Sequence, residues 1–188
     1  TILHGEYDHP MIVVAGPMDV VIEDLGFTRG YAEVPVGVGE WCGGALAAWS
    51  SSVTVRRCTF ESNGSPVWGG ALCMRMYSGP DEALIVEDSV FTSNLASQAA
   101  GAIYVGWADI AGQRVEIRNS VFADNTAPVS GAAAISGDRL SITLADSTFT
   151  DNMALGGNTG GAYLNSQSGR VIVERNNFEG NQAFHRGN

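Results

Sequence analysis

The chain contains no Lys; its ten basic residues are all Arg, against twenty acidic ones. A net charge of −10 over 188 residues lacks the basic patch that neutralises nucleic-acid phosphates, and it opposes docking on an anionic membrane. No nucleic-acid partner and no membrane insertion by this chain are expected. Charge is scarce altogether, at 16% of residues, below the roughly 25% of an average domain. The 45% apolar content excludes disorder, which pairs low hydrophobicity with high net charge. Long apolar runs are absent too. None approaches the roughly 20 residues that cross a bilayer, and the opening TILHGEYDHP does not read as a signal peptide. A leader already removed and a chain cut from something longer both remain open. The cysteines are only three, Cys42, Cys58 and Cys73, without C-x-x-C spacing or His partners for zinc. An odd count leaves at least one thiol unpaired or bonded to another chain, and the redox compartment stays open.

What the chain does have is glycine, 24 residues of it, and a repeat. A Phe-x-x-Asn element recurs as FESN (Phe60 to Asn63), FTSN (Phe91 to Asn94), FADN (Phe122 to Asn125), FTDN (Phe149 to Asn152) and FEGN (Phe178 to Asn181), with a weaker copy, FTRG, at Phe27. Successive Phe positions differ by 33, 31, 31, 27 and 29 residues. Between them runs a small-residue element: GGAL at Gly43 and Gly69, AGAI at Ala100, SGAA at Ser130 and GGAY at Gly160. Two motifs that keep phase over five or six copies mark a repeat architecture.

Seven and five residues before each Phe stand apolar pairs: Val20/Ile22, Val53/Val55, Leu84/Val86, Val115/Ile117, Ile142/Leu144 and Val171/Val173. That alternation is a strand with one face buried. The Phe stands at odd spacing from the pair, so a straight strand would point it outward and a corner must intervene. Asp24, Asp88, Asn119 and Asp146, three residues before Phe, are types that tolerate turns. Beyond the corner, Cys58, Ser89, Ser120 and Ser147 can then point inward with the Phe. No segment offers an amphipathic helix, because Gly and β-branched residues are spread evenly. The variable stretches, YAEVPVGVGEW after Gly30, MYSGPDEA after Arg75 and GWADIAGQ after Val105, fall where a solenoid places its loops. The expected fold is all-β: one right-handed parallel β-helix over residues 1–188, with about six coils of 27–33 residues and no true caps.

In such a helix each position stacks on its equivalent one coil away. Phe27, Phe60, Phe91, Phe122, Phe149 and Phe178 should form an aromatic stack in the core. Asn63, Asn94, Asn125, Asn152 and Asn181 should form an amide ladder rather than a polar binding track. The glycines supply φ > 0 at corners and leave no side chain to crowd the next coil; no phosphate-binding loop is present. Four residues before Phe the column reads Glu23, Arg56, Glu87, Arg118, Ala145, Glu174, and three before it Asp24, Arg57, Asp88, Asn119, Asp146, Arg175. Signs alternate over the first coils, which reads as control of register and not as an acid–base pair.

The pairing of GGA[ILV] with FxxN resembles the repeats of the polymorphic outer membrane proteins of chlamydiae and the β-helix passengers of bacterial surface proteins with a pectate-lyase-like fold. TILHG followed by VVIEDLGFTRG is similar to the start of such domains, and the likeness covers about residues 1 to 184. It implies a secreted or surface-displayed bacterial module used in adhesion or as a stalk. These motifs build the coil and not an active site. Ser130-Gly131-Ala132-Ala133 departs from the pattern, and no β-barrel anchor is present.

The rival is a polysaccharide lyase or hydrolase. No G-H-G element occurs, and His4, His9 and His185 stand at the chain ends. No catalytic residue and no cofactor is assigned. Calcium is the one ion the loop carboxylates Asp81, Glu82, Asp109 and Asp138 could take, and the opening segment offers His4, Glu6, Asp8 and His9 as metal ligands on paper. The best binding hint is a stripe of Trp49, Met76, Tyr77 and Trp107 at similar offsets in three successive coils. It reads as a stacking platform for sugars, a contact patch for a host or neighbour-cell surface, or packing that clips loops onto the coil. The expected function is therefore a structural or adhesive surface module, stacking end to end into filaments, with polysaccharide binding or cleavage as the alternative.

Overall fold

The computed structural model describes residues 1–6, 9–32 and 42–184. Asp8, most of the variable stretch after Gly30, and His185 lie outside the described residues. Among the described residues the regular elements are all strands, and they pair in parallel, each with its equivalent one repeat away. They build four sheets that run along the solenoid.

The first sheet holds Ile12–Ala15, Leu46–Trp49, Leu72–Arg75, Ile103–Gly106, Ala133–Gly137 and Ala162–Ser166. The second holds Asp19–Glu23, Ser52–Arg56, Ala83–Glu87, Arg114–Arg118, Ser141–Ala145 and Val171–Glu174. The third carries the Phe residues on Gly26–Thr28, Thr59–Glu61, Val90–Thr92, Val121–Ala123, Thr148–Thr150 and Asn177–Glu179, preceded by Ile2–His4. The fourth is made of two-residue strands, from Gly64–Ser65 to Gln182–Ala183. The chain visits them in that order, so five complete coils follow a partial opening one. This is the all-β parallel solenoid that the repeat predicts.

The apolar pairs face inward as their spacing requires. Val53 and Val55 pair in register with Leu84 and Val86, and all four are buried. Across the interior the Phe rings stack face to face from Phe27 to Phe178, with centroids 4.6–4.9 Å apart and planes within 11°. Phe27 to Phe149 are sealed, while Phe178, on the last described coil, is 48% exposed.

The corner between second and third sheets is a left-handed residue in every coil: Asp24, Arg57, Asp88, Asn119, Asp146 and Arg175, all with φ of 49–58°. Asp and Asn enter this region readily; for Arg57 and Arg175 it costs about 1–2 kcal/mol. Past it, an inward hydroxyl column ties the coils together. The Cys58 amide donates to Ser89 Oγ at 3.1 Å, Ser89 to Ser120 Oγ at 3.2 Å, and Ser120 to Ser147 Oγ at 3.2 Å. Each of these hydroxyls donates in turn to the carbonyl two residues earlier. Burial pushes the Cys58 thiol pKa up, as expected for a thiol that has lost water.

A second left-handed corner, not apparent in the sequence, follows two residues after Phe, at Arg29, Ser62, Ser93, Asp124, Asp151 and Gly180. The asparagines lie just beyond it. The Asn94 amide group donates to Phe60 O at 3.0 Å and to Asn125 Oδ1 at 2.9 Å, while its Oδ1 accepts from the backbone and side chain of Asn63, both at 3.0 Å. All four hydrogen-bonding positions of a buried amide are thereby filled, as they are at Asn125 and Asn152, while at the ends of the ladder Asn63 Oδ1 accepts from Gly30 N and Asn181 Nδ2 donates to Phe149 O.

The two glycines of the GGA element have different jobs. The first takes φ > 0 in three elements, at Gly43 (77°), Gly69 (59°) and Ala100 (61°), the last without being Gly. The second is excluded from carrying a side chain: a Cβ on Gly70 would overlap the Gly101 carbonyl. At the departing element, Ser130 Oγ donates to Ala133 O at 2.7 Å, so a hydroxyl fixes that turn.

Candidate binding surface

Outward positions on the first sheet form two rows. One runs Val13, Ala47, Cys73, Tyr104, Ala134, Tyr163, and the next Ala15, Trp49, Arg75, Gly106, Ser136, Asn165. Alternation sends the residue after Arg75 inward, which corrects the expected stripe. Met76 is fully buried in the core and offers nothing to a ligand. Trp107 occupies the equivalent place one coil on, since the Met76 amide bonds to Gly106 O. Its φ of 60° turns the indole outward instead. A left-handed non-Gly residue is strained by about 1–3 kcal/mol, and such strain gathers at functional positions.

The indole joins a cluster that two successive coils supply. Trp68, in the turn before Gly69, stacks on Tyr104 at 5.3 Å and meets Trp107 edge-on at 5.2 Å. Tyr77 lies 5.9 Å from Trp107. Between the indoles sits Arg75, its guanidinium carbon 5.0 Å from the Trp68 ring centre and 4.4 Å from that of Trp107, with Nη1 donating to Tyr77 Oη at 3.4 Å. A cation over an indole face gains about 0.5–2 kcal/mol depending on its hydration. Gly106 makes the room: a Cβ there would come within 2.8 Å of the Tyr104 hydroxyl. Tyr77 and Trp107 keep 47% and 39% of their surface exposed, so the cluster is an accessible face.

Beside the cluster in the same row, the Cys73 position is bonded to Cys42. This disulfide spans one coil and leaves Cys58 as a free, buried thiol. Crosslinking a loop of 31 residues stabilises by about 2–4 kcal/mol, and it anchors the start of the coil next to Tyr104.

Trp49 belongs to a different site. It walls a groove of about 700 Å³ at the corner between first and second sheets, formed by Gly16–Asp19, Trp49–Ser52 and the 78–82 loop. A smaller extension of about 390 Å³ shares Asp19, Ser52 and Asp81 and runs over the second sheet to Arg114. The groove is held internally. Buried Glu82 accepts from Ser78 N (3.1 Å), Ser78 Oγ (2.8 Å) and Gln113 Nε2 (2.6 Å), and Ser52 Oγ donates to Asp81 O at 2.7 Å. Asp109 accepts the Asp138 amide, and Asp138 accepts from Ser168. The carboxylates of Glu82, Asp109 and Asp138 are thus spread over separate coil-to-coil contacts, while that of Asp81 faces the groove. No group of three or more His, Cys, Asp or Glu stands together for a metal among the described residues.

The charged columns lie at the opposite corner. Arg57 forks Asp24 (2.7 Å) and reaches Glu23 (3.1 Å), and Arg175 does the same with Asp146 and Glu174. Hydrogen bonds from these guanidinium groups hold the Asp24 and Asp146 carboxyls below the usual range. Arg118, however, turns to Glu116 on its own strand at 3.4 Å, so the alternation of sign is only partly used between coils.

No curated protein and no solved structure matches the chain. A family model described as a right handed beta helix region does match, over residues 19–178. That span includes the Phe stack, the ladder from Asn63 to Asn152, the aromatic cluster and most of the groove, and the chain belongs to the right-handed β-helix family.

Proposed function

We propose that the chain is a secreted or cell-surface structural module that makes adhesive contact through the Arg75-centred aromatic face. The observation that carries this reading is the exposed pair Tyr77 and Trp107 packed around a guanidinium on a rigid sheet. Trp, Tyr and Arg are the residues that dominate binding energy at protein contacts, and here the scaffold has already fixed their positions. The Cys42–Cys73 disulfide supports an oxidising compartment. The GGA/FxxN likeness to chlamydial polymorphic outer membrane proteins supports surface display. Beads coated with wild type should adhere to cultured cells or extracellular-matrix proteins, and a Tyr77→Ala/Trp107→Ala variant of unchanged thermal stability should lose at least about tenfold in retained beads. Equal adhesion by both proteins rejects the reading.

End-to-end stacking belongs to the same proposal. Successive coils already pair in parallel register, and a coil of another copy in the same register would extend that pairing. Sedimentation velocity over a concentration series tests it; a lone monomer throughout counts against it.

A second reading, polysaccharide binding or cleavage, draws on the groove beside Trp49. Release of reducing ends or unsaturated products from neutral and acidic polysaccharides, with and without calcium, tests the cleavage part.

A further inference from the structure

We infer that the groove beside Trp49 binds an uncharged polysaccharide chain and rejects acidic ones. This rests on the second reading above and goes further by naming the ligand class. The groove's volume of about 700 Å³ falls within the range of sites that enclose small organic ligands, roughly 300–1,000 Å³. Its lining combines one indole wall with hydroxyls and carboxylates, from Trp49, Ser50, Ser78, Asp19 and Asp81. A pyranose ring presents the matching chemistry: an apolar C–H face for the indole, and equatorial hydroxyls whose protons the carboxylates accept. Asp19 and Asp81 are exposed and free to take them, whereas Glu82 is already occupied by Ser78 and Gln113.

Charge selects among sugars. Among the described residues that line the larger part, none is cationic, and the chain carries −10 overall. A uronate or sulfate would lie against Asp19 and Asp81 without a counter-charge, and like charges repel, most at low salt. Arg114 lines only the smaller part and faces Glu116 at 3.6 Å. The shape selects a chain over a monosaccharide. The two parts share Asp19, Ser52 and Asp81, contributed by three successive coils. At about 4.8 Å per coil these positions span about 10 Å, comparable to successive rings of an extended hexopyranose polymer.

Native gels cast with xyloglucan, galactomannan, mixed-linkage β-glucan or starch, and in parallel with polygalacturonate or alginate, test the inference. At least one neutral polymer should retard wild type, and neither polyuronate should. Trp49→Ala should weaken retardation at least about tenfold, Trp49→Phe should keep it within a few-fold because a planar ring remains, and Asp81→Asn should weaken it. Raising the salt should change it little, since exposed charge pairs are screened and hydroxyl contacts are not. Trp107→Ala should leave it intact, which separates this groove from the adhesive face. The inference is overturned if no neutral polymer retards wild type, if polyuronates bind as well, if Trp49→Ala binds like wild type, or if salt abolishes retention.

Discussion

The two edges of each coil are built on opposite principles. On the Phe side, both corners repeat without exception among the described residues, a left-handed residue three before Phe and another two after it, and from Asn63 to Asn152 a buried Asn fills the hydrogen-bonding capacity of its neighbours. On the other side, the connections from first to second sheet differ from coil to coil, and these hold the groove, the strained Trp107 and the exposed Tyr77. Repetition provides stability because each unit satisfies the next. Variation provides contact chemistry because nothing on that side depends on the neighbouring coil being the same.

Substitutions can break this division. The largest loss is expected from Asn94→Ala, which strands the Phe60 carbonyl and the Asn63 amide inside the core. At about 1–3 kcal/mol for each unsatisfied buried group, the total should be about 3–5 kcal/mol by urea denaturation. A loss below about 1 kcal/mol would mean that the ladder adds little to the stacking alone. Ala100→Gly should act the other way: relief of the left-handed Cβ outweighs the added chain entropy, for a net gain of about 0.5–1 kcal/mol in the same assay. On the variable side, Tyr77→Ala should stay within about 0.5 kcal/mol of wild type. If it costs as much as the Asn substitution, the aromatic face is structural and the comparison fails.

The smallest effect is expected at the exposed ion pairs. The folded state lowers the Asp24 and Asp146 pKa, so their contribution is present above the ordinary carboxylate pKa and is lost as pH falls through the lowered one. A double Asp24→Asn/Asp146→Asn variant should therefore show a slightly shallower loss of thermal midpoint than wild type between about pH 4 and pH 2. Salt should blunt the difference.

The repeated edge is the part that the sequence makes legible. Phe and Asn recur in phase, the apolar pairs fix which way each strand faces, and Asp24, Asp88, Asn119 and Asp146 mark the first corner by chemistry alone. The second corner escapes notice because Arg29, Ser62, Ser93, Asp124, Asp151 and Gly180 share no chemistry, only a backbone angle. The surface sites are harder still. Trp68, Arg75 and Tyr104 stand at unrelated offsets in their repeats and meet only once register is known. Met76 and Trp107 look equivalent by spacing, yet one φ angle sends the first into the core and the second out of it. Trp49, at a comparable offset one coil earlier, ends in the groove and not in the cluster.

The asparagine ladder also gives the molecule a sense of direction. In its amide-to-amide links each side chain donates to the following coil and accepts from the preceding one, so every coil offers one interface on its leading edge and the complementary one on its trailing edge. The units from Phe60 to Phe91 and from Phe91 to Phe122 have equal length and are interchangeable to that network. Duplication or excision of a whole unit would leave no bond of the ladder unmatched, whereas an insertion of a few residues within the Phe-x-x-Asn step would. Length can thus be adjusted in integral steps, and the solenoid behaves as a graduated ruler that sets how far apart two surface sites are held.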